Sequence, residues 1–148
     1  MRQKTLQNKG FNYIRITDSK IPFVQRFIKL YVAQMINLKN IKIDEVEDGD
    51  SFAISGEMIF INEEQIKEKN LTEEECMACL AHEMGHYLSG PTGKEGKSYE
   101  REFKADEFAF RLGLGGYLMS AIQKICPEYE LTKIRQQKYM DWKNINNI

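Results

Sequence analysis

The stretch Met77-Ala78-Cys79-Leu80-Ala81-His82-Glu83-Met84-Gly85-His86-Tyr87-Leu88 decides how this chain is read. It holds both of the 2 histidines among the 148 residues. Four residues apart on a helix, two imidazoles project the same way and can hold one metal ion. Glu83 then lies beside any water on that ion. With successive residues turned by about 100°, Met77, Leu80, Ala81, Met84 and Leu88 share one stripe. His82, Glu83 and His86 lie roughly opposite. The helix is expected to anchor by the first side and offer the second to a cleft.

The flanks support a helix here. Thr72-x-x-Glu75 is a capping-box pattern, and Glu73, Glu74 and Glu75 suit the positive end of the helix dipole. Gly90-Pro91 ends the segment, and residues 92–97 read as a polar loop. A second helix is predicted over 98–112, stopped by Gly113. Glu102 and Asp106 are one turn apart on it. No third histidine exists, so a third ligand must be a carboxylate or a thiolate. Glu102 is placed to complete the set, and Asp106 to accept the free N–H of a ligating imidazole. Ala105 and Ala109 share that side and are small enough for close helix approach. The competing reading of Glu100, Glu102, Asp106 and Glu107 is a charged helix surface. Cys76 and Cys79 project towards the ligand side of the first helix. They read as small buried residues rather than ligands, and their spacing is poor for a disulfide. Cys126, before Pro127, is expected to be buried at a helix end.

Elsewhere the pattern is strands early and helices late, which is an α+β class. A helix is predicted over 21–38, with Phe27, Leu30, Tyr31 and Met35 as its buried stripe. Strands are predicted over 41–46, 51–54 and 57–62, with Ser55-Gly56 as a hairpin turn. Ile59, Phe60 and Ile61 lie in a strand that is either interior or an edge able to pair with an extended peptide. Helices are predicted over 117–126 and 131–143. The last mixes Lys133, Arg135, Lys138 and Lys143 with Tyr139 and Trp142, and reads as a terminal amphipathic helix docking Trp142 on the core.

His-Glu-x-x-His followed on a second helix by Glu102-Phe103-Lys104-Ala105-Asp106 resembles the gluzincin metallopeptidases. The likeness is to the family of the CAAX prenyl endopeptidase and the bacterial membrane heat-shock protease, in the compact form called minigluzincins. Ser51-Phe52-Ala53, Leu80-Ala81-His82, Leu112-Gly113 and Gly116-Tyr117-Leu118 follow the family's order, and the resemblance covers about residues 51–125. It implies a zincin-like fold: a small, mostly antiparallel sheet packed on the active-site helix and the ligand-bearing second helix. It implies Zn2+ held by His82, His86 and Glu102, with Asp106 orienting an imidazole. Glu83 would activate the zinc-bound water for attack on a peptide bond. Family members commonly take an oxyanion donor from behind the acidic motif. Tyr117 and Arg111 are the candidates, with Tyr87 and Tyr99 behind them. A second reading shares the ligands but is a regulatory metallopeptidase of anti-repressor type, acting on one transcriptional repressor. A third is a non-catalytic binding module on a peptidase scaffold.

Composition narrows the partners. A 42% hydrophobic and 29% charged content is that of a globular protein, and the length suits a single domain. That domain divides into an N-terminal helix and strand (1–50), a catalytic core (51–126) and a helical tail (127–148). A net charge of −1 argues against nucleic acid held by bulk charge. No apolar run approaches the roughly 20 residues of a spanning helix, so no stable membrane insertion is expected. No targeting signal is visible, and 3 cysteines are an odd number, so a cytoplasmic protein with a peptide or protein substrate is expected.

Overall fold

Gly56 turns the chain with φ 61°, a backbone region closed to most side chains, and closes a two-residue hairpin loop. The computed structural model describes residues 13–31, 40–89 and 98–147. The expected end of the first helix, with Met35, and the loop after Gly90 lie outside the described residues. The class is α+β. The chain divides into two units, Met1–Glu73 and Glu74–Ile148.

The first unit is built on a mixed four-stranded sheet of order β1-β2-β4-β3. Its strands are β1 (Tyr13–Arg15), β2 (Lys42–Glu45), β3 (Phe52–Ser55) and β4 (Met58–Ile61). The hairpin makes β3 and β4 antiparallel, β1 and β2 are also antiparallel, and β2 runs parallel to β4. Ile59 and Ile61 alternate inward on β4 and are fully buried. Helix α1 (Pro22–Tyr31) buries Phe23, Val24 and Phe27, and the Phe23 ring meets Phe52 edge-on at 5.8 Å. Leu30, expected in that stripe, is exposed.

Two elements of this unit carry corrections. Strand β4 is interior, with β2 on one side and β3 on the other. Its backbone groups are therefore already paired, and Ile59, Phe60 and Ile61 cannot take up a peptide by strand addition. A short helix α2 (Glu63–Glu68) follows, which the sequence reading missed. Its cap is Asn62, whose Oδ1 accepts from the Gln65 N–H at 3.2 Å.

The second unit is helical: α3 (Glu73–Leu88, entering at its second residue), α4 (Ser98–Arg111), α5 (Gly115–Ile125) and α6 (Glu130–Ile145). Helix α3 is buried continuously from Glu75 to Gly85, so it is not open along one side as its pattern suggests. From α5, Lys124 reaches the Glu75 carboxylate at 2.8 Å and Ser120 donates to it as well. From α4, Ala105 presses on Gly85: a Cβ there would lie 2.5 Å from the Ala105 carbonyl oxygen. Exposure returns only at the C-terminal end of α3, where Leu88 is half exposed rather than in the core stripe. Helix α6 docks through Tyr139 and Trp142, whose rings lie 4.9 and 5.4 Å from that of Phe110. Cys126, just past the end of α5, is exposed, not buried. Among the described residues no helix is long and apolar enough to cross a membrane.

The Gly85–Ala105 contact has a sign that can be measured. Alanine is better than glycine in a helix by about 1 kcal/mol, but overpacking against fixed backbone costs about 1–3 kcal/mol. Gly85→Ala is therefore expected to lower the thermal midpoint, because α3 and α4 must move apart. Unchanged melting in that variant would show that the helices do not meet this closely.

Candidate metal centre

Helix α3 supplies His82 and His86 one turn apart, and their rings stand edge to face with centroids 4.7 Å apart. Helix α4 supplies Glu102. Its Oε1 lies 3.0 Å from His82 Nε2 and its Oε2 lies 3.2 Å from His86 Nε2. One ligand atom from each of the three residues fits within 4.8 Å of the others. Two imidazole nitrogens and one carboxylate oxygen at this spacing are a donor set that suits zinc and leaves a coordination position over. Among the described residues this is the one group of acidic, histidine or cysteine side chains so arranged.

Behind the imidazoles lies a second line of charge. Asp106, one turn after Glu102, is buried, and its Oδ1 accepts from His82 Nδ1 at 2.7 Å. The same carboxylate receives Arg135 of α6 in a two-pronged contact, Nε to Oδ2 at 2.8 Å and Nη2 to Oδ1 at 2.7 Å. The groups alternate in sign: Glu102, His82, Asp106, Arg135. Burial opposes the charged form of His82, but its hydrogen bonds to the Asp106 and Glu102 carboxylates outweigh it and hold the imidazole up at about 10. Burial would likewise raise Glu102, yet its bonds to His82 and His86 hold it far below the usual carboxylate range. Asp106 is also depressed: burial is overcome by the bonds from Arg135 and His82.

Glu83 stands apart from this chain of pairs. It is buried next to His82, and burial raises its pKa, with the nearby His82 and His86 pulling the other way. Cys79 is buried too, and burial pushes its thiol well above the usual range. Among the described residues, the group whose ligand atoms come together is His82, His86 and Glu102, without Cys79.

The candidate oxyanion donors do not gather here equally. Arg111 lies nine residues beyond Glu102, half a turn round α4, and pairs on the surface with Glu107 at 3.3 Å. Arg111 therefore faces away from the ligands, which corrects its candidacy. Tyr117 is half exposed on α5, and Tyr99 is exposed with its ring 5.9 Å from Phe103. Arg135 was missed as a site residue because it sits among surface lysines 29 positions after Asp106. The available signal was its helical phase, since Thr132, Arg135, Tyr139 and Trp142 share one side of α6.

Residues 23–95, a little under half of the chain, match peptidase family M48. The match takes in His82, Glu83 and His86 and ends before Glu102. It supports a zinc metallopeptidase family and, with it, a peptide or protein substrate. No curated protein and no solved structure gives a significant match.

The charge pattern predicts how metal uptake depends on pH. A ligating imidazole must be free of its Nε2 proton, and His82 in the metal-free site keeps its proton up to about 10. Zinc uptake at neutral pH should therefore expel protons, and apparent affinity should climb with pH by about tenfold per unit for each proton displaced. Chelator competition between roughly pH 6 and 9 measures this, and a flat profile would contradict a protonated His82.

Proposed function

We propose that the chain is a zinc-dependent metalloendopeptidase of compact, minigluzincin-like form, cleaving peptide bonds in peptide or protein substrates. The observation that carries this reading is the meeting of His82, His86 and Glu102 within 4.8 Å, with Glu83 on the same turn of helix. Those three residues would hold the ion. Bound there, zinc supplies a water acidified towards neutrality and a Lewis acid for the scissile carbonyl.

The protein's own groups do the rest. Glu83 takes the proton of the attacking water and passes it to the leaving amine. Its burial suits that task, because a carboxylate with a raised pKa is a stronger base and then a usable acid. Asp106 keeps the proton of His82 on Nδ1 and so leaves Nε2 for the ion. An intact Glu83 beside the ligands favours catalysis over a bare binding scaffold. We read the chain as one catalytic domain working in the cytoplasm, a compartment that its free cysteines fit.

Glu83→Gln should keep one zinc per chain and a wild-type fold while losing at least about a hundredfold in casein hydrolysis. Glu102→Ala should lose the zinc. A metal-clean Glu83→Gln enzyme as fast as wild type would refute the role of Glu83. Stoichiometric zinc in the wild type with no hydrolysis of any peptide would leave a binding module, and cleavage confined to one repressor would point to the regulatory peptidase.

A further inference from the structure

The last described helix reaches back into the metal centre through a single side chain. The Arg135 side chain is 11% exposed and Asp106 is 1% exposed, so their pair is shielded from water. Nε and Nη2 each donate to a different oxygen of Asp106. That two-point contact fixes the plane of the carboxylate as well as its position. Oδ1 shares its remaining capacity with His82 Nδ1. Nη2 also lies 3.5 Å from His82 Nδ1.

We propose that Arg135 is a positioning residue of the metal centre: by clamping both oxygens of Asp106 it fixes the ring plane and tautomer of His82. The inference rests on the metal-site reading above and concerns a residue outside the ligand set. Its physical basis is the cost of a buried acid with too few donors. Without Arg135, Asp106 keeps only the His82 bond, can swing about its own axis and is poorly solvated. An acid free to turn no longer aims the imidazole, and a misaimed ligand binds metal less tightly. The clamp is itself held by packing, since Tyr139, one turn on, lies against Gly115, where a Cβ would run into the ring.

Lysine tests the geometry rather than the charge, because a point charge cannot grip two oxygens in a plane. The probe is Zn2+ itself, measured by chelator competition on the full chain at neutral pH, with Co2+ as a spectroscopic reporter. Arg135→Lys is expected to weaken Zn2+ binding about 10–100-fold and to alter the visible spectrum of the Co2+ form. Asp106→Asn is expected to weaken Zn2+ comparably, and the double variant to bind no more weakly than Asp106→Asn alone, because both changes break one unit. Wild-type Zn2+ affinity in Arg135→Lys would overturn the proposal, whatever happened to its melting point, and so would losses that add in the double variant. If Arg135→Lys fails to fold, Arg135→Gln takes its place. Failure of both to fold in excess zinc would make the residue structural and overturn the proposal too. A wild type that binds no Zn2+ would instead sink the metal reading on which this one stands.

Discussion

The backbone of Ala105 occupies the space that any side chain on Gly85 would need. That one close approach sets the spacing of α3 and α4, and so whether groups on the two helices can share an ion. His82 and His86 are an internal matter of α3, one turn apart. Glu102 and Asp106 are an internal matter of α4. What joins the pairs is the absence of a Cβ in the middle of the motif, with Ala105 and Ala109 fully buried on the facing side. With the helices this close, the Glu102 carboxylate lies within hydrogen-bond reach of both imidazoles.

A buried charge is unfavourable when alone. His82 and Asp106 are buried, and each lies between partners of opposite sign, in the order Glu102, His82, Asp106, Arg135. The order also separates tasks. Glu102 faces the ligand side of both imidazoles, Asp106 the back of one, and Arg135 the back of Asp106. Glu83 belongs to none of these pairs. Burial raises its pKa, with His82 and His86 pulling the other way.

Much of this was legible in the residues. Helical spacing alone placed His82 with His86 and Glu102 with Asp106, and Ala105 and Ala109 marked a side where the helices could approach; Gly85 as their point of contact was not read. The hairpin was legible because Gly56 allows a backbone that few residues adopt. Long-range pairing was not. The turn fixes β3 against β4, but nothing local says that β2 will lie parallel to β4 and close off its other edge. Arg135 was hidden for the same reason. Its value comes from a partner on another helix, and lysines at 133 and 138 disguise it as surface charge. The burial of α3 from Glu75 to Gly85 was also a tertiary fact, on a helix whose pattern suggests one open side.

Two imidazole nitrogens and one carboxylate, from His82, His86 and Glu102, make up the donor set among the described residues, and no cysteine belongs to it. X-ray absorption at the zinc edge on the protein loaded with one equivalent tests this directly. The expected spectrum has only nitrogen and oxygen neighbours near 2.0–2.1 Å, with the outer-shell scattering of two imidazoles. A sulfur shell near 2.3 Å, or a spectrum with no imidazole signal, would contradict it.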